Sequence, residues 1–302
     1  MTSIRATLLK PVLRQVVRRM VNVNIPVKTQ RQRFDRYLGG SPTPRGIRRE
    51  QLNLSFGNAE WVTPAKPEMG RVMLYLHGGG YIVGSAHAYA SITTRYAKRL
   101  NCPVLVPDYR LAPEHPHPAA LEDALEAYQY LLKEGYKPEN ILLAGDSAGG
   151  GLSTALLLKL RDDSLPLPVA CFVISPLLDL TYSGDSMQSK AKADPVLNEP
   201  WLQAGAKAYC GGASATEPYI SPLFSEPSGL PPILIHVGSE EVLLDDSRRF
   251  LEKARRVGVP LQLDTWEGMW HDWHGMAMLL PEGRQAIKDS SRWLLEQLEH
   301  SH

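Results

Sequence analysis

Nowhere in the 302 residues does an apolar run approach the roughly eighteen residues that a membrane-spanning helix needs. An excess of one charge is also missing: 33 Lys and Arg face 32 Asp and Glu, leaving a formal charge of +1. That balance argues against a nucleic-acid partner and against an acidic tail. Cysteine is scarce. Cys102, Cys171 and Cys210 cannot all pair and none stands in C-x-x-C spacing, so neither a disulfide framework nor a zinc ribbon is expected. Met1–Val27 lacks the uninterrupted apolar core and small-residue cleavage site of a secretory signal. A reducing, cytoplasmic location is the expectation. Internal repeats and low-complexity tracts are absent.

What the chain does contain is an alternation of short apolar runs and helix-spaced segments. Val72–Leu76, Val104–Pro107, Ile141–Ala144, Ala170–Ser175, Ile233–Val237 and Leu261–Trp266 read as strands, and Val72–Leu76 is apolar enough to be buried on both faces. Helices are expected between them, near 88–100, 119–134, 152–160 and 244–257, with a closing helix near 286–298. This predicts an α/β fold with a mostly parallel central sheet flanked by helices. Ile47–Trp61 reads as a pair of edge strands turning at Gly57-Asn58. Leu8, Leu9, Val12, Leu13, Val16, Val17 and Met20 recur at helical spacing. That amphipathic helix could lie on a membrane surface, but packing against the protein's own body is the commoner use. Pro26 and Pro44 bracket what reads as a polar connection. From Leu178 to Pro222 the alternation stops, as expected of an insertion over the carboxyl edge of the sheet.

The chemistry centres on Gly145-Asp146-Ser147-Ala148-Gly149, placed between a strand and a helix. This is the G-x-S-x-G pattern in the setting where a sharp turn lifts a serine hydroxyl above the sheet. A nucleotide-binding loop is excluded, because Lys-Ser/Thr does not follow the glycines. An acyl-transfer serine needs a base, a group orienting that base, and donors for the oxyanion. His77-Gly78-Gly79-Gly80 follows the strand upstream. The amides of Gly78, Gly79 and Gly80, with that of Ala148, are candidate oxyanion donors. The loop after the last strand offers His271 and His274 as bases, and an i, i+3 metal pair is disfavoured for want of a third ligand. In Gly238–Asp246, position just past a strand end favours Glu240 or Glu241 as the orienting acid. Asp245 and Asp246 read as first-turn helix acids.

His77–Gly80, Asp108–Glu114 (Asp-Tyr-Arg-Leu-Ala-Pro-Glu), Gly145–Gly150 and Gly238–Asp245 together resemble the bacterial branch of the hormone-sensitive-lipase family of α/β-hydrolase carboxylesterases. The resemblance runs in matching order from Val72 to His274. The family's acid motif, G-x-x-D-x-L-x-D, laid on Gly238, Leu243 and Asp245, implies Glu241 as the acid, with glutamate where aspartate is commoner; Glu240 is the alternative. It also implies His271 rather than His274. The catalytic set is then Ser147, Glu241 and His271, with Asp108, Arg110, Glu114 and Asp146 as scaffold. The family implies an α/β-hydrolase body of residues 45–177 and 223–302, under a helical cap made of 1–44 and 178–222. The implied activity is hydrolysis of short- to medium-chain acyl esters, with no cofactor or metal. A deacetylase or amidase on the same residues, or an inactive ligand-binding homologue, are the alternatives. If Ile233–Val237 or Leu261–Trp266 forms a sheet edge, a homodimer could pair there.

Overall fold

The computed structural model describes residues 2–300. Met1, Ser301 and His302, which fall within the bounds expected for the cap and the body, lie outside the described residues. Eight strands form one sheet in the order β1-β2-β4-β3-β5-β6-β7-β8. The first two are β1 (Ile47–Leu54) and β2 (Gly57–Pro64), an antiparallel hairpin joined antiparallel to β4 (Val104–Pro107). β3 (Val72–Leu76), β4, β5 (Ile141–Asp146), β6 (Ala170–Ile174), β7 (Ile233–Gly238) and β8 (Leu261–Trp266) run parallel. β3, β4, β5, β6 and β7 are buried at every position, which is why they read as unbroken apolar runs. β7 is therefore interior, paired on both sides, and only β8 of the two expected edge candidates lies at an edge.

Helices α3 (Ala90–Leu100), α4 (Ala119–Lys133), α5 (Ser147–Asp162), α8 (Leu244–Arg256) and α9 (Pro281–His300) flank this sheet. The hairpin turns at Ser55-Phe56, because Leu54 pairs with Gly57; Gly57 opens the second strand instead of forming the bend. Ahead of the hairpin lie α1 (Ile4–Met20) and α2 (Val27–Leu38). The stretch expected as a polar connection is thus mostly helix. α2 buries only Gln30 and Phe34, too narrow a stripe to stand out among its Arg, Gln and Lys. Between β6 and β7 come a short α6 (Ser186–Ser189) and α7 (Glu199–Cys210). Side chains of α1, α2 and α7 line one cavity above the carboxyl ends of β3 and β5. Among the described residues no helix is long and apolar enough to cross a membrane. All three cysteines are buried and unpaired, and burial pushes the Cys102 thiol up to about 12.

Candidate active site

Ser147 sits where β5 becomes α5, with φ +52, a left-handed backbone that is uncommon outside glycine. The turn is possible because its neighbours lack side chains. A Cβ at Gly145 would come within 2.4 Å of the Gly149 carbonyl oxygen, and one at Gly149 within 2.0 Å of the Leu76 carbonyl oxygen. Strand and helix meet there with no room between them.

Three loops deliver side chains to this serine. After β8, His271 places Nε2 2.9 Å from Ser147 Oγ. After β7, Glu241 places Oε2 3.5 Å from His271 Nδ1, within ion-pair reach. Ser175, at the end of β6, donates its hydroxyl to the same carboxylate oxygen at 2.7 Å. Burial pushes the Glu241 carboxyl up to about 7, against the pull of His271 and Ser175. Glu240 points elsewhere and pairs with Lys10 on α1. His274 also turns away. Its Nε2 lies 3.1 Å from His236 Nδ1, and His236 Nε2 faces Asp264 at 3.4 Å, so this second histidine anchors the loop in the core. Burial holds both of these rings below the ordinary histidine value.

The glycine loop after β3 divides in two. The Gly78 amide donates to Asp146 Oδ1 at 3.1 Å, so it ties the loop to the base of the serine turn and is not a free donor. This corrects the expectation for Gly78. No such acceptor engages the amides of Gly79 and Gly80 among the described residues. Both adopt positive φ, and a Cβ at Gly80 would come within 2.9 Å of the Trp201 ring. Ala148 opens α5, where backbone amides have no intrahelical partner. His77 braces the loop from beneath, stacked on Tyr109 with ring centres 4.3 Å apart and bonded to the Gly78 carbonyl through Nδ1 at 2.8 Å. Burial pushes its pKa down to about 4, so it is a neutral donor.

The expected scaffold residues are engaged away from Ser147. Asp108 accepts from the Ala86 amide, Arg110 pairs with Asp123, and Glu114 with Arg31. Asp245 and Asp246 lie in the first turn of α8, as expected, but Asp246 is also buried and accepts from the amides of Leu178 and Asp179. Two further residues went unread in the sequence. Asp194 accepts from the Val242 amide and so fixes the loop bearing Glu241. Asp272, in a left-handed conformation, sets Oδ2 3.1 Å from His271 Nε2, beside the serine. Burial opposes a charge on the imidazole. The carboxylates of Asp272 and Glu241 outweigh that cost and hold its pKa well above the ordinary value. Asp146 is pushed up by burial and then by Asp272. No signal in the sequence marks Asp272, since adjacency to a histidine says nothing about where a carboxylate points.

Above Ser147 opens a cavity of about 540 Å³ with a mainly apolar wall, including Val16 and Val17 of α1, Phe34 of α2, Trp201 of α7, and Trp270 and Met276 of the histidine loop. Trp201 donates Nε1–H to Gln30 Oε1 at 2.8 Å, linking α7 to α2 across the cavity.

A family model described as the alpha/beta hydrolase fold matches residues 73–275. An acetyl-hydrolase of Streptomyces hygroscopicus is 40% identical over 270 residues, 84% of this chain and 90% of that one. A carboxylesterase/phospholipase of Mycobacterium tuberculosis is 35% identical over 262 residues, 83% of this chain and 69% of that one. Among solved structures, an esterase from the bacterial hormone-sensitive lipase family superposes with TM-score 0.93 at 38% identity, covering 99% of both chains.

Proposed function

The chain belongs to the α/β-hydrolase fold family, in its bacterial hormone-sensitive-lipase branch, and on that footing we propose that it hydrolyses short- to medium-chain carboxylic esters through Ser147, His271 and Glu241. The observation that carries the reading is the position of one imidazole. Its Nε2 meets Ser147 Oγ at 2.9 Å while its Nδ1 faces a buried carboxylate. His271 takes the Ser147 proton as Oγ attacks the ester carbonyl. Glu241 keeps the proton on Nδ1 and stabilises the imidazolium. The amides of Gly79, Gly80 and Ala148 receive the developing oxyanion; removal of one such donor typically costs about 2.7–4 kcal/mol of barrier stabilisation. The imidazolium protonates the departing alcohol, and a water activated by His271 then releases the acid from Ser147. These groups supply nucleophile, base and electrophilic donors, so the reaction calls for no cofactor.

In this reading residues 1–44 and 178–222 form a cap over the body, and the apolar cavity holds the acyl chain. The edge of β8 is where a homodimer would pair strands. The names of the relatives, an acetyl-hydrolase and a carboxylesterase/phospholipase, fit ester substrates of this kind. The test is hydrolysis of p-nitrophenyl esters from acetate to palmitate by wild type and Ser147→Ala. The expected outcome is a rate peak at short or medium chains that vanishes in the variant. Two folded proteins that hydrolyse nothing would leave the inactive binding homologue in its place.

A further inference from the structure

Charge that balances over the whole chain is strongly segregated along it. Residues 1–44 carry nine Lys and Arg against a single carboxylate, Asp35, while the remainder carries 24 against 31. Asp35 is itself engaged, accepting from Ser85 Oγ. Lys10 and Arg31 have acidic partners and Arg14 caps carbonyls, but Arg5, Arg18, Arg19 and Arg36 have no acidic partner among the described residues.

The same segment presents apolar surface to solvent. Ile4 is 80% and Leu8 67% exposed, and with Val12 they repeat every fourth residue on one face of α1. At 100° per residue, Arg5, Arg18 and Arg19 fall on that same outward arc. Val12, Tyr37 of α2, and Met278 and Leu279 beyond the histidine loop are each half exposed or more, and all four also line the cavity above Ser147. The apolar patch is thus continuous with the mouth of the site. A helix with exposed apolar residues flanked by unpaired arginines has the composition of one that lies in a lipid interface. A second copy of the chain is a poor occupant, because a two-fold contact would set this cationic face against itself.

We infer that the outer face of α1, with Tyr37, Leu38, Met278 and Leu279, docks on an anionic phospholipid surface and brings the cavity mouth against the layer that holds the ester. The benefit to catalysis rests on the esterase reading, but the binding does not. Docking sinks Ile4 and Leu8 into the acyl boundary and sets Arg5, Arg18, Arg19 and Arg36 among the phosphates.

The experiment is sedimentation of the full chain, as Ser147→Ala to leave the lipid intact, with phosphatidylcholine vesicles with and without phosphatidylglycerol. The chain is expected to sediment with the anionic vesicles and to be released by salt. Arg18→Glu with Arg19→Glu should lower partitioning by about 30-fold or more, since each basic residue contributes about 1 kcal/mol at such a surface. Leu8→Glu should lower it by about tenfold. In the Ser147 background of the wild type, both variants should hydrolyse dissolved p-nitrophenyl acetate unchanged, which also reports that they fold. Equal binding to neutral and anionic vesicles, no binding to either, or variants that lose nothing would overturn the inference. A dimer seen by sedimentation velocity and broken by Leu8→Glu would overturn it in favour of a second copy. Loss of esterase activity from the wild type with vesicle binding intact would count against the catalytic reading alone.

Discussion

Replacing Asp272 by asparagine keeps the shape of the side chain and removes a charge 3.1 Å from His271 Nε2, the nitrogen that takes the serine proton in the proposed mechanism. Two carboxylates favour the imidazolium, Glu241 at Nδ1 and Asp272 at Nε2, and the buried Asp194 adds to the field from the 178–222 stretch. Asp146, whose carboxyl burial and then Asp272 push up, also faces Asp272, while Ser147 and Ser175 are neutral. Only the neutral imidazole can act as base, so activity should rise with pH through a His271 pKa that lies above 6.5. At 3.1 Å and an effective dielectric near 20, unit charges interact by about 5 kcal/mol. That is an upper bound, and a neighbouring carboxylate more commonly moves a titration by about 1–3 pH units. Asp272→Asn should therefore shift the acid limb of kcat/KM for p-nitrophenyl acetate downward by that amount. Below the wild-type limb the variant should be the faster enzyme, by about tenfold for each pH unit of the shift. Its alkaline plateau should be somewhat lower, because a less basic imidazole is a weaker proton acceptor. An acid limb that stays in place, or moves upward, would refute the assignment of Asp272 as a second charge on the base.

Glu241→Gln should lower kcat by about 10⁴-fold, since an amide neither fixes the Nδ1–H tautomer nor stabilises the imidazolium. Glu240→Gln, which loses only the Lys10 pair, should stay within about threefold of wild type in the same assay. For His77, with a folded value of about 4 against an unfolded value near 6.5, the unfolded chain takes up the proton first as pH falls. The stabilising contribution is thus present above about 6.5 and lost by about 4, some 3 kcal/mol over the interval. His77→Asn, which can keep a donor to the Gly78 carbonyl, should show a smaller loss of urea-unfolding free energy between neutral and acid pH. Equal losses would count against a neutral buried His77.

The parts of the molecule most legible in sequence are those where one local pattern decides the structure. Strands buried on both faces must be unbroken apolar runs, so β3 to β7 stand out, and a serine on a strand-to-helix turn requires glycines at fixed offsets. Elements that depend on distant partners are hidden. α2 has a narrow apolar stripe, and its buried Gln30 finds its partner in Trp201, 171 residues away. The Gly78 amide looks like its two neighbours until Asp146, 68 residues on, is seen to accept from it. Glu240 and Glu241 are equivalent by position, and only the contact of Lys10 with one and of His271 and Ser175 with the other separates them. Asp272 is the extreme case, because its direction is set by a left-handed backbone that no composition signals.

The lack of space around Gly145 and Gly149 also bears on how such a protein can change over generations. A methyl group at either position would overlap carbonyl oxygens of β3 or of the helix that follows the serine. Those sites are closed to variation, whatever the substrate. Much of the wall of the cavity is drawn instead from α1, α2 and α7, by residues such as Val16, Phe34 and Trp201 that lie outside the turn holding Ser147. On the proposed reading, selection for a new acyl group can therefore act on one part of the chain while the reacting atoms are inherited unchanged from another.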